Sequence, residues 1–246
     1  MPARETEAII LKTFPLGEAD RLVSFFGRSS GRLRGVAAGA RRIKNRYGST
    51  LAVLSHVQLR YVERETRDLV RIQECELLES FHKSQSDYQL STGLALISEI
   101  AERTLPEQEV GEPMFRLLLL AAREVERRSS WELPLAYFAF WTVKLGGYFP
   151  PLERCSSCGN ALGQHAGFHF SQAGGVSCEN CRKPGMRPIG RLGRELAGLF
   201  ASKRLDDMEL PQDLAKPLKE LREAALDWIE HHVERRLQTR EFLETT

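Results

Sequence analysis

Four of the five cysteines stand in two pairs, Cys155-Ser-Ser-Cys158 and Cys178-Glu-Asn-Cys181, with 19 residues between the pairs. A two-residue gap lets both thiolates of a pair reach one ion, and two pairs complete a tetrahedron of soft donors. The expected chemistry is a structural zinc centre. Four thiolates leave no open position for a water, which argues against catalytic zinc. Gly159 follows the first pair and Pro184-Gly185 the second, as turn residues, and Phe168, Phe170 and Val176 with Gly174-Gly175 read as a hairpin joining them. Disulfides are disfavoured in a reducing cytoplasm. Redox exchange would want a cysteine pair on a helix N-terminus, and both pairs here lie among turn residues. His165 and His169 lack the spacing to replace a cysteine. Cys75, inside an apparent strand, reads as a small buried hydrophobe.

The second chemical signal is charge. The formal net charge is only +2, yet residues 1–80 hold 14 basic and 10 acidic side chains, and Arg21 to Val62 contains no acidic residue. Arg21, Arg28, Arg32, Arg34, Arg41, Arg42, Lys44, Arg46 and Arg60 fall in that window. One sign of charge without local counter-ions sets up a potential that attracts polyanions. Arg32 and Arg34 are two apart on one strand and are expected on one face. Gly35 and Gly39 are expected to let the backbone approach a sugar-phosphate chain. Arg32, Arg34, Arg41, Arg42, Lys44 and Arg46 form the expected phosphate track, with Tyr47 as the aromatic candidate for base stacking; Phe26 and Tyr61 read rather as core. A later basic group, Arg182, Lys183, Arg187, Arg191 and Arg194, is diluted by Glu179 and Glu195 and reads as a solvated skirt.

Catalytic signatures are missing from the sequence. There is no GxxxxGK[ST] phosphate loop, GxSxG elbow or HExxH motif. His231 and His232 point about 100° apart on a helix, so Glu230-His231-His232 reads as a polar face. The chain is therefore expected to be a non-enzyme. The longest apolar run, Leu135 to Trp141, is far short of the ~18 residues of a membrane span. Arg4, Glu5, Glu7 and Lys12 leave no room for a secretory signal, so a cytoplasmic location without membrane partners is expected.

Two textures position these groups. Through residue 80 the pattern is strand-like: Ala8–Phe14, Arg21–Phe26, Gly31–Ala38, a period-two run through Val53, Val57, Leu59 and Tyr61, and Leu69–Leu78, whose phase slips near Glu74 as at a bulge. Five short strands suit a small barrel, an OB-fold or an SH3-like one. From Ser84 the period is helical. Ser84 with Asp87 and Ser129 with Glu132 have capping-box spacing. Helices are expected around Leu90–Ala101, after Pro113, from Leu135 to a stop at Gly146-Gly147, over Leu192–Phe200 and over Leu214–Val233. The fold class is α+β, a β-barrel followed by an α-helical region interrupted by a cysteine module.

The stretches LGEADRLVSFF and SGRLRGVAAGARRIKNRYG within Leu16–Gly48, LRYVERE (Leu59–Glu65) and ELLESF (Glu76–Phe81) resemble the RecO family of bacterial recombination-repair proteins. The resemblance runs through nearly the whole chain. It implies an OB-fold nucleic-acid-binding domain over residues 1–81 and an α-helical domain over 82–246, with a zinc-ribbon-like insert at 153–185. It also implies binding of single- and double-stranded DNA, annealing of complementary strands without ATP, and work with RecR, the single-strand-binding protein and RecA. A different class of reading is a zinc-containing adaptor whose basic barrel meets an acidic partner tail. A metal-dependent nuclease ranks third.

Overall fold

Alternating apolar residues in the first 80 positions produce five strands that close on themselves. They are β1 (Arg4–Leu16), β2 (Asp20–Gly27), β3 (Gly31–Ala37), β4 (His56–Arg64) and β5 (Arg67–Glu79). The computed structural model describes residues 3–64, 67–163, 166–171 and 175–244, so His165 and Gly174 lie outside the described residues. The order around the barrel is β1-β2-β3-β5-β4, with β4 returning to β1 and a parallel β3–β5 contact. This order and closure are those of an OB-type barrel, not of an SH3-like one. The interior is filled by alternate residues such as Ile10, Phe25, Leu33, Val57, Leu59 and Ile72.

Register shifts on β1 and β5 re-aim side chains. On β1 the pairing steps from Ile10↔Phe25 to Lys12↔Ser24, so Leu11 is the extra residue and every later side chain changes face. The Ser98 hydroxyl donates to the Leu11 carbonyl at 2.7 Å. On β5 the pairing steps from Arg60↔Glu74 to Tyr61↔Ile72, which is the phase slip expected near Glu74. Gly35 is required by the packing of the core. A Cβ there would lie 2.9 Å from both Ile72 Cγ1 and Val70 Cγ2, across the parallel β3–β5 contact.

The helices are α1 (His82–Gln85), α2 (Tyr88–Thr104), α3 (Glu112–Arg128), α4 (Glu132–Leu145), α5 (Arg191–Ser202), α6 (Ala215–His232) and α7 (Arg240–Glu244). Asp87 is itself the α2 N-cap and accepts from Leu90 N at 2.9 Å, while Ser84 is buried in α1. Ser129 does not cap α4; it closes α3 with φ 48°, and α4 begins after Trp131 without a side-chain cap. A three-stranded sheet, β6 (Phe168–Phe170), β7 (Val176–Ser177) and β8 (Arg187–Ile189), has the order β7-β6-β8. Among the described residues no helix is long and apolar enough to cross a membrane.

The chain forms two compact units, Met1–Ser129 with Thr239–Thr246, and Ser130–Gln238. The change of texture near residue 81 marks where strands give way to helices. The unit boundary instead marks which helices pack with the barrel. Phe26 meets Phe115 of α3 at 5.9 Å between ring centroids, and Arg32 bonds to the chain just beyond α2.

Candidate nucleic-acid interface and metal centre

The connection from β3 to β4 carries the densest basic sequence, and core residues pin it at both ends. Ala40 and Tyr47 are 8% and 1% exposed, whereas Arg41, Arg42, Ile43, Lys44 and Arg46 between them are exposed. The Asn45 side-chain Oδ1 accepts from Tyr47 N and Gly48 N, each at 2.9 Å, and its Nδ2 donates to Arg42 O at 3.0 Å. An Asx turn of this kind holds a tight arch without regular structure. Arg41 ties the arch to the β1–β2 turn: its backbone N donates to Ala19 O and its guanidinium to Gly17 O. No carboxylate pairs with Arg41, Arg42, Lys44 or Arg46 among the described residues. Among the described residues, four cations on one short arch therefore lack a local counter-ion.

Two expected members of the track are elsewhere. Arg32 is buried: its Nε donates to Leu105 O at 2.9 Å, and its head lies 3.2 Å from Glu107 and 3.5 Å from Glu102. A guanidinium so engaged packs the chain beyond α2 against the barrel and is not offered to solvent. Tyr47 is also buried. Its hydroxyl donates to Ile72 O at 3.1 Å and accepts from Arg46, so the ring fills the barrel and presents no face for a base. Arg34 remains half exposed, with only long contacts of 4.0 and 3.8 Å to Glu102 and Glu107. Phe26 and Tyr61 are core residues, as expected.

Each arginine of the other basic group is engaged. Arg182 pairs with Glu179, Arg187 with Asp227 at 2.6 Å, and Arg191 with Glu195. The Arg194 guanidinium donates to Gly163 O at 2.7 Å, Leu152 O at 2.8 Å and Ala166 O at 3.2 Å. It clamps the segment that carries the first cysteine pair.

The four cysteines converge. The sulfurs of Cys155, Cys158, Cys178 and Cys181 all lie within 4.8 Å of one another, with Cys158 and Cys178 3.9 Å apart. Zn–S bonds of about 2.3 Å place tetrahedral sulfurs about 3.8 Å apart, so the set fits a single metal ion. Local backbone builds each half. Cys155 N donates to Asn160 O and Gly159 N to Cys155 O, both at 2.9 Å, with Gly159 at φ +73°. A 3-10 turn over Glu179–Cys181 forms the second half. Ser156 joins the two by donating from N and Oγ to Val176 O at 2.8 and 2.7 Å. Backbone N–H groups of Cys178 and Cys158 hold the Cys155 thiol down at about 6, while hydrogen bonding with the Cys178 and Cys158 thiols pushes Cys181 up to about 12. N–H groups aimed at sulfur favour thiolate, the form that ligates. Cys75 lies against the barrel core, and burial pushes its thiol up.

One exposed aromatic escapes a reading of the sequence. Phe14 stands 41% exposed on β1, with Lys12 Nζ 4.9 Å from its ring centroid. The signal lies in Lys12-Thr13-Phe14, but an unbulged strand would send Phe14 inward.

Together these features define a class of protein with an OB-type barrel bearing an exposed basic arch, followed in the chain by a helical region with a four-cysteine centre. The family profile described as recombination protein O N terminal matches residues 1–81, and that described as recombination protein O C terminal matches residues 85–241. The chain belongs to the recombination protein O family of DNA repair proteins. Curated relatives named DNA repair protein RecO include that of Koribacter versatilis, 32% identical with 96% of each chain covered. That of Nocardioides sp. is 33% identical over 97% of this chain and 98% of its own, and that of Syntrophobacter fumaroxidans 32% over 99% and 98%.

Proposed function

We propose that this protein binds single- and double-stranded DNA through the basic arch and anneals complementary strands without a nucleotide cofactor. The observation that carries this reading is the arch: four exposed cations, Arg41, Arg42, Lys44 and Arg46, with no carboxylate partner among the described residues. Two DNA strands repel through their phosphates. A cationic surface that holds both lowers that repulsion and releases condensed counter-ions, so pairing proceeds without covalent chemistry. Arg34 extends the track along β3. Family membership supports a mediator role, in which the protein works with RecR and the single-strand-binding protein in loading RecA.

The four cysteines hold one zinc ion in this reading. Bound zinc cross-links the two cysteine pairs and supplies folding free energy to a segment with few residues of its own core. The chain's own contribution is the backbone scaffold around the sulfurs and the clamp of Arg194.

An annealing assay tests the function: complementary oligonucleotides, one carrying a fluorophore and the other a quencher, mixed with protein and no ATP. Wild type should accelerate pairing, and Arg41→Glu with Arg42→Glu should abolish most of the acceleration. Wild type without effect on pairing, but binding an acidic peptide, would favour an adaptor instead.

A further inference from the structure

Beyond the Leu11 bulge, β1 places Lys12, Phe14 and Leu16 on the outside of the barrel. The strand register continues that face across its neighbours. Phe14 lies opposite Leu22, Leu22 opposite Val36, and Val36 opposite Arg71. Directly opposed residues share a face, so Phe14, Leu22 and Val36 form one apolar row across three strands, ended by Arg71. Phe14 is 41% exposed, Leu22 and Val36 are part-exposed, and Arg71 is exposed. The neighbouring row runs Lys12, Ser24, Arg34, placing two further cations beside it. Ser24 bonds to Glu102, so α2 already occupies that end of the face, and the Phe14 row lies beyond it.

Exposed apolar side chains in a row are costly to leave in water, and this one is bordered by cations. A duplex hides its bases and would offer the row only phosphates. A single strand presents both an anionic backbone and free aromatic faces. Phe14 has the one exposed ring of the row, and aromatic–base stacking tolerates any sequence. We infer that the Phe14–Leu22–Val36 row is a base-stacking platform selective for single-stranded nucleic acid, with Phe14 the stacking ring and Lys12, Arg34 and Arg71 steering the backbone. This deepens the proposed function and rests on it, adding to the phosphate arch a second contact that reads strandedness.

The test is a binding titration by fluorescence anisotropy at fixed salt, with oligodeoxythymidine, an abasic oligomer of equal length, and a matched duplex. Phe14→Leu keeps an apolar side chain but removes the ring. It should weaken oligodeoxythymidine binding about tenfold, within the range expected for a single stacked base, and leave the abasic strand and the duplex unchanged. Phe14→Tyr should bind like wild type. Equal affinity of wild type and Phe14→Leu for oligodeoxythymidine, or equal weakening on the abasic strand, would overturn the platform while leaving the arch intact. Wild type that binds no oligonucleotide would overturn both. Photocrosslinking of wild type to a 5-bromodeoxyuridine oligomer gives an answer free of any folding effect: the adduct is expected on the tryptic peptide Thr13–Arg21, and its absence from that peptide counts against the platform.

Discussion

The Arg32 guanidinium donates to the Leu105 carbonyl at 2.9 Å, so a residue that reads as part of a DNA-facing track instead packs the chain after α2 against β3. Arg34, two residues on, is half exposed. The pair separates a structural arginine from a surface one on the same strand.

That separation has a measurable form. Arg32→Ala should lower unfolding stability by about 1.5–3 kcal/mol, the scale of a charge-assisted hydrogen bond, read from urea melts. Arg34→Ala should cost under about 1 kcal/mol, as exposed ion pairs do, and show its effect in DNA affinity. Equal stability losses in the two variants would contradict the assignment.

Tyr47 should behave as a core residue. Tyr47→Phe removes the bond to Ile72 O and should cost about 0.5–1.5 kcal/mol; Tyr47→Ala should cost about 3–5 kcal/mol, as for other large buried rings. The ring lies in the barrel core, so Tyr47→Leu, at a temperature where it is fully folded, should match wild type in DNA affinity.

The cysteine centre predicts one equivalent of zinc per chain by elemental analysis. Cys155→Ser should lose it and lower the melting temperature, and a strong chelator should do the same to wild type. The salt dependence of DNA binding by folded Cys155→Ser should be unchanged. Zinc absent from carefully prepared wild type, with an unaltered melt after chelation, would remove the structural role.

Acid should weaken the first unit through Glu124 of α3. Burial pushes this carboxyl up, but hydrogen bonds from Arg127 and Arg128 outweigh burial and hold it below its ordinary value. Its folded value is depressed, so its contribution is present above the unfolded value of about 4.3 and is lost as pH falls through the folded one. Glu124→Gln should therefore narrow the gap in melting temperature between pH 7 and pH 3. An identical gap in both proteins would show that this carboxylate does not carry the effect.

What can be read from sequence follows the range of the interaction concerned. The cysteine pairs are local patterns, and their sulfurs meet as the spacing requires. Period-two runs locate the five strands, and even the β5 phase slip is visible in them. Arg32 and Tyr47 mislead because their surroundings come from afar: Leu105 lies 73 residues from Arg32, and Ile72 25 residues from Tyr47. Gly35 misleads for the same reason, since only the β3–β5 contact brings Val70 and Ile72 against it. Phe14 is hidden by a one-residue bulge, which inverts every side chain after it.

In the proposed reading the cations of the β3–β4 arch hold DNA by its phosphates, which must leave its mark on the salt dependence of binding. The most direct measurement is the slope of log affinity against log salt for a single-stranded oligonucleotide, wild type beside Arg41→Glu/Arg42→Glu. The slope should become shallower by about 0.7 for each phosphate no longer neutralised, with weaker binding to every sequence alike. A folded double variant with the wild-type slope would place the DNA elsewhere on the protein.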